Sequence, residues 1–143
     1  MQRSLLCAGL LLATLAGACT AVGYRSSCFE VTFGELDFDW STGQASLSSL
    51  CIRRLGVSCP QLQNCSVQAG IDQNGNGVLD PSEVTLNLHD EHPGGQFCVT
   101  AANANLTISP ADHGKKLIMH YEAGRSDQPD QPFVSKDESK TLD

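Results

Sequence analysis

The chain has 143 residues and a formal charge of -7 at neutral pH, from 9 Lys and Arg against 16 Asp and Glu. That balance excludes the basic footprint a nucleic-acid binder needs. Hydrophobic residues make up 41% and charged residues 17%, which suits one buried core and excludes a wholly disordered chain.

Residues 1–18 read as a targeting segment. Arg3 supplies the positive start, residues 5–15 form a short apolar run, and Ala16, Gly17 and Ala18 are small. The run is too short to cross a membrane as a helix. Cys19 follows directly. Ala16-Gly17-Ala18-Cys19 resembles the lipobox of bacterial lipoproteins, although the usual leucine three positions before the cysteine is Ala16 here. The resemblance implies lipidation of Cys19, attachment to a membrane through that lipid, and a place in the bacterial cell envelope. Cleavage after Ala18 would instead leave a soluble extracellular chain. Either route ends in an oxidising compartment.

Cys7 leaves with the targeting segment. Lipidation of Cys19 would leave Cys28, Cys51, Cys59, Cys65 and Cys98 for two disulfides and one thiol. Without lipidation Cys19 joins them, and three disulfides become possible. Zinc is the competing use, but Cys51, Cys59 and Cys65 lack a C-x2-C pair.

Residues 19–27 read as an anchor and tether ahead of a β domain spanning 28–123. Phe29, Val31 and Phe33 alternate with Glu30 and Thr32; after Gly34 the parity shifts to Leu36, Phe38 and Trp40. A glycine at such a shift predicts a bulge or tight bend. Ser41-Thr42-Gly43 predicts a three-residue hairpin loop, with a return strand over 44–52. A helix presenting Leu47, Leu50, Cys51 and Leu55 is the competing assignment there. Arg53-Arg54 reads as a solvated strand end, and 56–64 as a loop.

Asp72-Gln73-Asn74-Gly75-Asn76-Gly77-Val78-Leu79-Asp80-Pro81-Ser82-Glu83 fits the twelve-residue calcium-loop pattern D-x-[DN]-x-[DN]-G-x5-E without a mismatch. Calcium is a hard cation that takes six to eight oxygens, and glycine at the sixth position allows the sharp turn. Asp72, Asn74 and Asn76 would each give a side-chain oxygen and Val78 its carbonyl. Asp80 would bind directly or through water, and Glu83 would give two oxygens. With only three carboxylates, an affinity of roughly 10⁻⁵ to 10⁻³ M is expected. A plain Asx-rich turn uses the same residue types, but it has no need of glutamate at the twelfth position.

The flanks differ from a helix-loop-helix EF-hand. Val67, Ala69 and Ile71 alternate with polar or small residues, and so do Val84, Leu86 and Leu88. Period two predicts strands on both sides. Asp80-Pro81-Ser82-Glu83 predicts one capped turn, with Leu79 turned toward the core. The ion would be a staple rather than a switch.

Residues 89–96 read as a polar loop, 97–100 and 105–108 as strands, 110–116 as a turn, 117–123 as the last strand and 124–143 as a disordered tail. About seven or eight short strands with regular turn signals favour an all-β fold, a small disulfide-stabilised sandwich. The stretch from Asn105 through Ala111-Asp112-His113-Gly114-Lys115-Lys116-Leu117 resembles the late strands of bacterial immunoglobulin-like repeats. Cys65 through Gly70-Ile71-Asp72, Glu83-Val84-Thr85, then Phe97-Cys98-Val99, resembles a cysteine-bracketed calcium module of bacterial surface proteins and lipoproteins. That resemblance implies a Cys65–Cys98 disulfide around the loop.

His89-Asp90-Glu91-His92 is the other candidate site. With Cys59 or His113 it could hold Cu or Zn, although no helix aligns its two imidazoles; a solvated loop is the plainer reading. His120 reads as a half-exposed strand residue. No nucleophile elbow, phosphate-cradling loop or H-E-x-x-H is present, so no enzymatic activity is expected. The expected role is structural or binding, toward a protein or carbohydrate partner. A copper or zinc binding protein, or a secreted effector or inhibitor, is the alternative.

Overall fold

The computed structural model describes residues 20–143. The targeting segment and Cys19 lie outside the described residues. Within them run β1 (Ala21–Arg25), β2 (Phe29–Phe33), β3 (Leu36–Asp39), β4 (Gln44–Leu47), β5 (Ser49–Arg54), β6 (Leu62–Ile71), β7 (Val84–Asp90), β8 (Gln96–Thr100), β9 (Asn105–Thr107), β10 (Lys116–Arg125) and β11 (Gln128–Thr141). Single 3₁₀ turns stand at Pro81–Glu83 and Pro110–Asp112. Three sheets result, with strand orders β1-β2-β5-β8, β11-β10-β6-β7 and β3-β4-β9. The fold is all-β and sandwich-like.

Period two explains which faces meet. Phe29 and Val31 on β2, and Leu50 and Ile52 on β5, are buried from the first sheet. Val67 and Ala69 on β6 meet them from the second, with Met119 and Tyr121 on β10. Ala45, Leu47 and Leu106 close the core from the third sheet. Phe29 stacks on Phe133 at 4.3 Å between ring centres, tying β2 to β11 across the layers.

The strand expected over 44–52 is two strands in different sheets. The change occurs at Ser48, whose amide bonds the Glu35 carbonyl at 3.0 Å while its hydroxyl accepts from the Glu35 amide at 2.9 Å. Gly34 marks the same corner on the partner strand, where a Cβ would lie 1.9 Å from Ser48 Oγ. The predicted parity shift is therefore a crossing between sheets. The hairpin loop has four residues, 40–43, because Asp39 and Gln44 are the last pair.

Two segments outside the expected domain belong to it. The tether contains β1, which pairs with β2 through a bulge between Val22 and Tyr24 that breaks its alternation. The tail expected to be disordered is β11, paired along nearly all of β10. Its alternation is hidden because Lys136, Glu138 and Lys140 oppose the core-facing Tyr121, Met119 and Leu117. Lys136 Nζ donates to the Gly23 carbonyl at 2.6 Å, and Lys140 lies over the Phe38 ring at 5.5 Å. The charged side of β11 thus reaches β1 and β3; Val134 and Glu138 are its buried residues, and Leu142 is buried just beyond its end.

The Cys65–Cys98 pairing is also corrected. Cys98 bonds Cys51, its register partner across β5 and β8, with Cα atoms 4.1 Å apart. Cys28 bonds Cys59. Cys65 is a buried thiol. It shares the core face of β6 with Val67 and Ala69, whereas Cys98 lies between the inward Phe97 and Val99 and points out. The two cysteines could not meet without turning a strand over.

Burial pushes the Cys65 thiol up to about 12, with the Asp90 charge adding to the effect. It is therefore expected to be inert in the folded protein. Alkylation under native conditions should label none of the five described cysteines. Among those five, alkylation in guanidinium without reductant should label Cys65 alone, read by peptide mass spectrometry; label on Cys51 would contradict the pairing.

Candidate metal centre

The loop of residues 72–83 leaves β6 and returns as β7, the antiparallel neighbour of that strand. Asp72, at the root, is buried. Its Oδ1 accepts from the Gly75 amide at 3.0 Å and its Oδ2 from the Gly77 amide at 2.8 Å. Gly75 and Gly77 hold φ of 72° and 78°, left-handed values that glycine adopts without strain. Asn74 Oδ1 accepts from the Asn76 amide at 3.1 Å, and Asn76 Oδ1 from the Val78 amide at 2.9 Å. These are successive Asx turns, and Val78 sits exposed beyond them.

The predicted turn after the loop is present as Pro81–Glu83, with Asp80 extended at its N-cap. Glu83 is buried and serves two loop positions. Its Oε1 accepts from the Asp80 amide at 2.9 Å, and its Oε2 accepts from the Gln73 amide. The glutamate thus closes the loop across its two ends. Asp80 Oδ2 accepts from Asn74 Nδ2 at 2.7 Å and Asn76 Nδ2 at 3.0 Å. The Asn74 amide and then the Asn76 amide hold the Asp80 carboxyl below its usual range, against the opposing effect of desolvation.

Leu79 is half-buried. It lies over the outer face of β6, where a Cβ on Gly70 would stand 3.0 Å from Leu79 Cδ1. Leu79 thus covers Gly70 from outside, whereas the sequence pointed it toward the core.

Residues not singled out in the sequence fix the loop to a second turn. Gln73 Nε2 donates to Asp112 Oδ1 at 3.2 Å, and Lys115 Nζ donates to Gln73 Oε1 at 2.6 Å. Burial raises the Asp112 carboxyl, but the Ser109 amide, the Gln73 amide, the Ser109 hydroxyl and Lys115 together bring it below the ordinary value. A cleft of about 410 Å³ opens between the loop and residues 114–116. The Ser109–Asp112 cap spacing was the available signal, because it repeats that of Asp80–Glu83.

The loop's donor set is all oxygen, the chemistry a hard divalent cation selects. Each carboxylate or amide oxygen that bonds a backbone N–H keeps a second acceptor direction, so turn formation and cation binding are compatible. Among the described residues no three His, Cys, Asp or Glu side chains converge on a common metal position. Asp72, Asp80 and Glu83 serve separate hydrogen bonds in this arrangement.

The histidine set is dispersed. His89 and His92 are exposed, and the His92 amide bonds Asp90 Oδ1 at 3.0 Å. Cys59 is spent in its disulfide, and His113 stacks on Trp40 at 5.5 Å. Comparison with protein-family models, curated proteins and solved structures finds no match.

His120 has a role the sequence did not reveal. Its Nδ1 lies 2.6 Å from Asp137 and its Nε2 3.0 Å from Glu122, bridging β10 and β11. Burial lowers its pKa, but hydrogen bonds to Glu122 and Asp137 and their charges outweigh that and raise it above 6.5. A raised folded pKa stabilises the fold fully below about 6.5, and that stabilisation is lost as pH rises through the folded value. Urea melts should show this loss on the alkaline side of 6.5, and His120→Gln should flatten it. A parent and variant with parallel pH profiles would contradict the ion-pair role.

Proposed function

We propose that this is an exported, non-catalytic β-sandwich protein whose loop 72–83 holds one Ca²⁺ as a structural staple. Attachment to a bacterial envelope through a lipid on Cys19 is part of the same reading. The observation that carries it is the closure of the loop: Asp72, Asn74 and Asn76 curl the backbone, while Glu83 ties Gln73 to Asp80. A loop so ordered has much of its ligand backbone in place before binding, which lowers the ordering cost.

Asp72, Asn74, Asn76, Asp80 and Glu83 would hold the ion with their side chains, and Val78 with its carbonyl. Binding would take Asp80 from its two contacts with the Asn74 and Asn76 amide nitrogens, and Asn74 and Asn76 would ligate through the second acceptor direction of the oxygens that hold the turns. Calcium supplies charge neutralisation for three carboxylates and a cross-link between β6 and β7. Two disulfides and a compact β fold suit an oxidising exterior. The protein or carbohydrate partner of such an envelope protein is carried by fold analogy alone.

Calorimetric titration with calcium should show one site, with a Kd of roughly 10⁻⁵ to 10⁻³ M. At a hundredfold excess over Kd the fold should gain about 2.7 kcal/mol. Glu83→Gln also loses a native hydrogen-bond acceptor, so it should cost about 1–2 kcal/mol even in chelator. The diagnostic quantity is the calcium-dependent rise in melting temperature, which the variant should largely lose. A parent melting temperature that is the same in calcium and in chelator would sink the reading.

A further inference from the structure

The loop that leaves β5 is held rigidly and exposes apolar side chains. Leu55 is 41% exposed and Val57 94%, the highest value among the exposed large hydrophobic residues described. The tip is pinned at its base. The Leu55 amide bonds the Cys28 carbonyl at 2.8 Å, the Cys59 amide bonds the Gly56 carbonyl at 3.1 Å, and Cys28 is joined to Cys59. Arg54 Nη1 reaches the Cys59 carbonyl at 3.4 Å.

Basic residues lie at its root. One row across the first sheet reads Arg25, Glu30, Arg53 and Gln96. Glu30 pairs with Arg25 at 3.1 Å, so the surplus positive charge in that row is Arg53, which is exposed, whereas Arg54 shares the opposite face with the buried Phe29 and is turned to the Cys59 carbonyl. Arg53, part of what reads in sequence as a solvated strand end, is thus an exposed cation just before an apolar tip in a chain whose net charge is -7.

We propose that the tip formed by Leu55 and Val57 touches the surface of a bilayer containing anionic phospholipid, with Arg53 at the headgroup phosphates. Charge complementarity selects that occupant, since an apolar tip beside an exposed cation is what an anionic interface attracts. Size argues against a stable protein interface, because two apolar side chains on a convex loop cannot supply roughly 800 Å² per partner. The contact does not depend on calcium, and it is separate from any lipid on Cys19.

The test uses the exported chain carrying Cys19→Ser, which removes a lipid anchor, and Val57→Trp as a local reporter. Trp40 is the sole natural tryptophan, so the same chain without the reporter supplies the background. Phosphatidylglycerol-containing vesicles should shift the reporter emission to the blue, and pure phosphatidylcholine vesicles should not. Arg53→Gln should weaken that partitioning on the order of five-fold. Val57→Asp, at a site exposed enough to leave folding intact, should reduce co-sedimentation with the anionic vesicles. No emission shift, an equal shift on both vesicles, or partitioning indifferent to Arg53 overturns the proposal.

Discussion

The loop lies against the sheet because Gly70 has no side chain. A Cβ at that position would stand 1.9 Å from the Glu83 carbonyl oxygen, a clash with backbone that no rotamer change relieves. With that space clear, the chain folds back over the outer face of β6 and re-enters as β7 at the required spacing. Leu79 covers the bare backbone, and Glu83 reaches both Asp80 and Gln73. Gln73 then carries the arrangement to Asp112 and Lys115. A polar loop that could have fluctuated in solvent is tied to β6, to β7 and to the turn before β10.

The loop and its flanks were legible in sequence because their information is local. Side-chain oxygens at fixed spacing fold the backbone through Asx turns, and Asp80-Pro81-Ser82-Glu83 is a self-contained turn. The disulfides were less legible because pairing depends on which face each cysteine occupies. Cys51 lies between Leu50 and Ile52 and Cys98 between Phe97 and Val99, so both point away from the core, while Cys65 is in phase with Val67. That parity relation was available, but the cysteine-bracketed module suggested a different partner. β11 was illegible for another reason. Its core-side positions are Lys136, Glu138 and Lys140, and the usual apolar alternation is missing although the backbone ladder is long.

The charges of β11 also bear on how the sandwich ends. As the outermost strand of its sheet, β11 presents a free backbone edge. Lysines aimed inward from such an edge discourage another chain from adding to it, because a partner strand would have to accommodate buried charge. In this fold the same residues reach β1 and β3, so they join the sheets as well as guarding the edge. His120, between Glu122 and Asp137, adds polar contacts to the middle of that ladder, on the face opposite the core-facing Met119 and Tyr121.

The two disulfides interleave along the chain, since Cys51 lies between Cys28 and Cys59 while its own partner is Cys98. Neither bond joins cysteines that are neighbours in sequence. A chain oxidised as it emerges into an oxidising compartment would bring Cys28 to Cys51 first, and Cys59 to Cys65 next. The Cys51–Cys98 bond becomes available only after β8 has arrived, and an early Cys28–Cys51 bond would have to be undone by thiol–disulfide exchange before either native pair could form. An isomerase, or oxidation slow enough for the sheet to select its own partners, would avoid that detour.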